Sequence, residues 1–244
     1  MTRIKLVLLP GLDGTGLAFR PLLATLPDWI TPQVHAFPGA TPAGYDQLLP
    51  GVLAALPRSA PFALLGESFA GPLAVMAAAT PPAGLRAVIL CASFVRNPIL
   101  WLPRWAAPIV RPFPFRFYPV VTALKRWFGR FSTPELRALL SEALAGVERP
   151  VLAARVREIL RVDASAALRA CPVPILYLAG THDCIVPGRS LRRIQLLRPD
   201  VQVARIDAPH VVLQTRPAAA AEAIAAFLAP LAKGQSRAGS IIDT

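Results

Sequence analysis

Apolar residues fall along this chain in short unbroken runs, separated by stretches rich in Pro, Gly and charge. Six runs have the length of a strand: Ile4 to Leu9, Gln33 to Phe37, Phe62 to Gly66, Ala87 to Ala92, Ile175 to Ala179 and Gln202 to Ile206. Continuous apolar runs, rather than alternating ones, are what a parallel sheet covered on both faces requires. Helical patterns fall between them, at Leu17 to Leu26 with Pro21 inside, at Asp46 to Leu56 with Asp46 as N-cap, and at Phe69 to Ala79. Strands alternating with helices predict an α/β fold with an open, doubly wound, mostly parallel sheet.

The rhythm breaks after Phe94 and resumes near residue 167. Up to Phe131 the sequence is broken by Pro and rich in aromatics, among them Trp101, Trp105, Phe113, Phe115, Phe117, Tyr118, Trp127 and Phe128. Its charges are all positive: Arg96, Arg104, Arg111, Arg116, Lys125, Arg126 and Arg130. From Thr133 two amphipathic helices follow, parted near Gly146 to Pro150. The pattern predicts a core of residues 1–93 and 167–232, a mostly helical cap at 94–166 inserted after the fourth strand, and a flexible tail at 233–244. The cap reads either as a subdomain core with a solvated face, or as a lid over an apolar pocket with arginines toward an anionic partner.

Composition narrows the class. A chain of 244 residues needs no metal or disulfide to fold. Apolar content of 54% is high, yet Pro or Arg interrupts every run before 18 residues, so no transmembrane segment is predicted. The apolar run after Lys5 is too short for a signal peptide. Cys91, Cys171 and Cys184 lack C-x-x-C spacing and predict free thiols in a reducing cytoplasm. The net charge of +12 suits an acidic carrier protein or an anionic lipid surface, whereas no motif supports nucleic-acid binding. The glycine loop Pro10 to Gly16 lacks nucleotide-binding spacing, although three glycines after a strand suggest close backbone approach. His35, His182 and His210 stand apart, which predicts neither a metal site nor a cofactor.

Candidate chemistry centres on Phe62 to Ala74. A buried strand ends at Gly66, Ser68 follows, and an alanine-rich helix begins at once. Such a turn exposes the serine hydroxyl and needs small neighbours, here Gly66, Ala70 and Gly71. A serine becomes nucleophilic when a base takes its proton, and the base needs a carboxylate to hold its tautomer. Gly180-Thr181-His182-Asp183 supplies the carboxylate past the fifth strand, and Ala208-Pro209-His210 the base past the sixth. His35 is expected to be a core histidine. His182 adjoins Asp183 too closely to bridge it to Ser68, and Asp207 is the reserve acid.

The order Ser68, Asp183, His210 resembles that of the α/β-hydrolase superfamily over nearly the whole chain. The matching features are Gly66-x-Ser68-x-Ala70-Gly71, Gly180-x-x-Asp183-x-x-Val186-Pro187 and Pro209-His210 before the terminal helix. The Leu9-Pro10-Gly11-Leu12-Asp13-Gly14-Thr15-Gly16 loop is similar to that of small bacterial hydrolases and phytyl-ester-synthase-like acyltransferases. Size, cap and basic lid also resemble pimeloyl-carrier-protein methyl ester esterases. The resemblance implies an oxyanion hole from the backbone N–H groups of Leu12 and Phe69. It further implies a serine ester hydrolase acting through an acyl-enzyme on a small, medium or lipid-like acyl ester. The alternatives are an acyltransferase or thioesterase using the same triad, and a non-catalytic ligand-binding protein on this scaffold. Two departures, Pro10 where many members have His and Ala70 for the second Gly of G-x-S-x-G, weaken the link to any one substrate.

Overall fold

The computed structural model describes residues 3–99, 102–110 and 128–233. Its strands are β1 (Ile4–Leu9), β2 (Ile30–Val34), β3 (Phe62–Glu67), β4 (Leu85–Cys91), β5 (Ile175–Gly180) and β6 (Gln202–Ile206). They form one sheet in the order β2-β1-β3-β4-β5-β6, with every neighbouring pair parallel.

Two adjacent rows of residues explain the unbroken apolar runs. Val7, Leu64, Val88 and Ile175 align across the four inner strands. They face the core that includes α2 (Tyr45–Ala55) and α3 (Gly71–Ala79). Leu8, Leu65, Ile89 and Leu176 form the next row and face the opposite core, with Val212 and Leu213 of α8 (Val212–Thr215) and Ile224 and Leu228 of α9 (Pro217–Lys233). A period of two sends successive side chains to opposite faces, so every inner position must be apolar. Truncating one such leucine to alanine costs about 2–5 kcal/mol.

The outer strands depart from that pattern. In β2 only Ile30 is buried, and in β6 only Ile206. β2 begins three residues before the apolar run that suggested it, because Pro32 lies within it, opposite Leu6. A proline is tolerated there because an edge strand has N–H groups with no ladder partner to lose. His35 consequently falls past the end of β2 and is half-buried, not a core residue; burial lowers its pKa. The first helical pattern is also shorter than expected, a 3-10 turn at Leu17–Phe19 followed by α1 (Arg20–Leu23). Gly44, not Asp46, caps α2. Its N–H donates to Gln47 Oε1 at 2.9 Å, and Asp46 sits in the first turn.

Between β4 and β5 the chain forms a 3-10 stretch at Arg104–Ile109, a turn at Gly129–Phe131, and helices α4 (Pro134–Ala145), α5 (Arg149–Arg161) and α6 (Ser165–Ala170). Thr133 caps α4, its Oγ1 accepting the Leu136 N–H at 3.2 Å. Phe128, Phe131 and Leu136 form a small core with Val211, which joins this stretch to the loop after β6. Arg96 pairs with Asp163, and Arg130 with Asp207, so these two expected partner-facing arginines are bound to carboxylates of this chain. Trp101, Arg111, Phe113, Phe115, Arg116, Phe117, Tyr118, Lys125, Arg126 and Trp127 lie outside the described residues, as does the expected tail beyond Lys233, which itself ends α9. Among the described residues no helix is long and apolar enough to cross a membrane. After β5 the chain continues into α7 (Gly188–Leu197).

Candidate active site

Ser68 occupies a strained turn. Its φ is +47°, a left-handed conformation that costs an ordinary residue roughly 1–2 kcal/mol. Neighbours over-determine that geometry. Ser93 Oγ donates to the Ser68 carbonyl at 2.6 Å, and Tyr45 Oη donates to the Phe69 carbonyl at 2.9 Å with its ring stacked on Phe69. Tyr177 Oη donates to the Ser93 carbonyl at 2.7 Å and accepts the Ser93 N–H at 3.0 Å. Burial raises the pKa of both tyrosines, so each stays a phenol able to donate. The glycines are needed for space. A Cβ at Gly66 would lie 2.7 Å from the Ala70 carbonyl oxygen, and one at Gly71 would collide with Ser93 Oγ.

Three loops converge on this turn. His210 Nε2 is 2.9 Å from Ser68 Oγ, and His210 Nδ1 is 2.9 Å from Asp183 Oδ2. Asp183 Oδ1 accepts the N–H groups of Ile185 and Val186, each at 2.9 Å. A carboxylate only accepts, so Nδ1 carries the imidazole proton and Nε2 offers its lone pair to the serine. The Asp183 side chain is 7% exposed and that of His210 11%, which shields the relay from competing water. Gly180 permits the approach of the two loops, since a Cβ there would lie 2.5 Å from the Pro209 carbonyl oxygen. The arrangement can move a proton from Ser68 to His210 while Asp183 stabilises the resulting cation.

The rival residues are elsewhere. His182 Nε2 lies 2.9 Å from Asp207 Oδ1, which also accepts from Arg130 at 2.8 Å, in an exposed cluster. Asp207 therefore does not face His210. Among the described residues no group of three His, Cys, Asp or Glu side chains could hold a metal ion. A cleft of about 420 Å³ between α4 and the α8–α9 junction is lined by Phe131, Leu136, Leu139, Gln214 and Arg216 among others; it reaches none of Ser68, Asp183 and His210.

The loop after β1 closes against the serine turn. Gly14 donates to the Gly11 carbonyl at 3.1 Å, and Asp13 Oδ2 accepts the Thr15 N–H at 2.9 Å and hydroxyl at 2.6 Å. A Cβ on Gly11 would be 3.8 Å from both Ser68 Cβ and Glu67 Oε2. This places Leu12 and Phe69 on adjoining segments. Glu67, beneath them, is a residue that the strand pattern concealed, because it continues β3 by one buried position. It is 6% exposed, accepts from Gln214 Nε2 at 2.9 Å and from the Gly11 N–H, and burial pushes its pKa up to about 7. Gln214 Nε2 also donates to the Ala18 carbonyl at 3.2 Å, while its Oε1 is, among the described residues, a buried oxygen with no partner.

An open parallel sheet that carries a serine, a carboxylate and a histidine past the ends of β3, β5 and β6 belongs to the doubly wound proteins that build their sites at strand carboxyl ends. The chain belongs to the α/β-hydrolase family, whose sequence profile matches residues 6–223. No curated protein sequence is significantly similar to it. Several solved structures share the fold. The enol-lactonase from Burkholderia xenovorans LB400 superposes with a TM-score of 0.76 at 22% identity, over 94% of this chain and 92% of that one. A thermophilic esterase from Thermogutta terrifontis gives 0.78 at 19% identity, over 94% and 91%. A bromoperoxidase from Bacillus anthracis gives 0.77 at 17% identity, over 93% and 92%. At these identities the likeness establishes the fold, and the differing activities are those of the other proteins.

Proposed function

We propose that this hydrolase cleaves carboxylic esters through an acyl-enzyme on Ser68. The observation that carries the proposal is the unbroken relay Ser68 Oγ–His210 Nε2 and His210 Nδ1–Asp183 Oδ2, with both contacts at 2.9 Å. Ser68 Oγ attacks the ester carbonyl carbon as its proton passes to His210 Nε2. The carbonyl oxygen becomes an oxyanion that accepts from the N–H groups of Leu12 and Phe69. Collapse of the tetrahedral species breaks the bond to the alcohol, which leaves with the proton from His210. A water then gives its proton to His210 and attacks the acyl carbon; the bond from that carbon to Ser68 Oγ breaks, Oγ takes the proton back from His210 Nε2, and the acid leaves. Structural likeness to an esterase and an enol-lactonase supports an ester-type carbonyl as the reacting group.

The test is hydrolysis of p-nitrophenyl esters from acetate to palmitate, alongside Ser68→Ala and fluorophosphonate labelling. Turnover should fall by roughly 10⁶ in the variant, with labelling confined to Ser68. Residual turnover close to that of the unaltered protein would refute the assignment. Competition by added alcohols for the acyl group would reveal transfer in place of hydrolysis.

A further inference from the structure

Among the described residues the largest fully enclosed side chain is a charged one. Arg155, on α5 of the insertion, is only 1% exposed and reaches into the loop that follows β1. Its Nη1 donates to the carbonyls of Leu12 and Asp13, each at 2.8 Å, and Nη2 donates to the carbonyl of Pro38 at 2.9 Å. The guanidinium carbon stands 5.8 Å from the ring centre of Phe37 and 6.0 Å from that of Phe69. Gly14 makes room for it, since a Cβ there would lie 2.5 Å from Nη1, and its φ of +71° independently favours glycine. The guanidinium is the object of the close approach that the glycine loop suggested.

Packing alone is a poor account of this arginine. Burying a guanidinium without a contacting carboxylate is expensive, and an apolar side chain of equal volume would fill the space at less cost. Asp13 acts on it only at longer range, and its Oδ2 accepts from the Thr15 N–H and hydroxyl instead. What an apolar side chain could not do is hold three carbonyl oxygens at once. Two of those carbonyls, of Leu12 and Asp13, belong to the segment proposed to supply one oxyanion donor, and one of the two rings beneath the guanidinium, that of Phe69, belongs to the residue proposed to supply the other. The peptide carrying the Leu12 N–H is fixed at its own carbonyl by the Gly11–Gly14 turn. The next two peptides are fixed by Arg155.

We propose that Arg155 is a positioning residue for the oxyanion hole: through the carbonyls of Leu12 and Asp13 it holds the loop so that the Leu12 N–H points at the developing oxyanion. The insertion thus completes the site from a distance, without touching the substrate. This inference rests on the serine mechanism proposed above, and the two can fail separately.

The experiment measures the rate at which a fluorophosphonate labels Ser68, because its phosphoryl oxygen takes the oxyanion's place whatever the substrate. Labelling of the unaltered protein tests the serine mechanism; its absence would sink that mechanism and leave the positioning role with nothing to position. Given labelling, Arg155→Ala should slow it by about 10²–10³, the loss typical of one oxyanion donor. The inflection of the labelling rate with pH should stay in place, since the relay is intact. Millimolar guanidinium should restore most of the rate by filling the vacated hole, whereas ammonium should not. Arg155→Lys, which keeps the charge but not the fork, should be slow yet folded, and it serves if the alanine variant does not fold. Labelling of the folded variants at the unaltered rate would overturn the proposal. So would a loss that guanidinium fails to repair.

Discussion

Glu67 makes the stability of this protein depend on pH in an unusual direction. Its pKa stands near 7 in the fold against 4.5 ordinarily, chiefly because burial penalises the carboxylate; the Gln214 side chain pulls it back, Asp13 raises it further, and His210 and the Gly11 N–H lower it. As pH rises past 4.5 an unfolded chain gives up this proton, while the folded chain keeps it until about pH 7. The folded state binds more protons in that window, so Glu67's contribution is fully present below the lower value and is lost as pH rises through the upper one. Each pH unit across the window is worth about 1.4 kcal/mol, which sums to about 3 kcal/mol. Glu67→Gln cannot ionise and still offers an oxygen to the Gly11 N–H. Urea denaturation of both proteins, at about pH 5 and about pH 8, isolates the effect because groups not coupled to Glu67 cancel. The variant should gain about 2–3 kcal/mol relative to the unaltered protein between the two conditions. Parallel stability curves would show that Glu67 ionises normally and that its enclosure is without electrostatic consequence.

Two further substitutions probe the same scaffold. Asp183→Asn should preserve the fold but lower kcat by roughly 10⁴, because an amide can turn an N–H toward Nδ1 and stabilise the wrong tautomer; an unchanged kcat would exclude Asp183 as the orienting carboxylate. Tyr177→Phe leaves the buried Ser93 N–H without an acceptor and should destabilise by about 1–3 kcal/mol in thermal denaturation, whereas an unaltered Tm would mean that the Ser93 buttress is not needed.

The inner sheet was legible in the chain because burial on both faces leaves an uninterrupted apolar signal, as in Leu6 to Leu9 and Leu64 to Leu65. Ser68, Asp183 and His210 were legible because each follows a strand end at a separate point in the sequence, and the structure brings the three together. Edges were harder to see. β2 contains Thr31 and Pro32, and an edge strand with one buried residue carries no hydrophobic pattern to find. Glu67 was hidden by adjacency, since beside a candidate serine an acidic residue draws no separate notice. Arg155 was hidden by composition. Among so many arginines on amphipathic helices, nothing local marks the one that turns inward, because its three acceptors are carbonyls more than a hundred residues away in the chain.

Two of the contacts that fasten α4 and α5 to the rest of the chain differ physically. Arg20 grips Glu142 of α4 through two bonds of 2.7 and 2.6 Å, with both side chains about half in solvent. Arg155 of α5 is sealed from solvent. Mobile ions screen the first clasp and leave the second untouched. The loop after β1 therefore keeps its Arg155 clasp across a range of salt in which the Arg20–Glu142 clasp weakens.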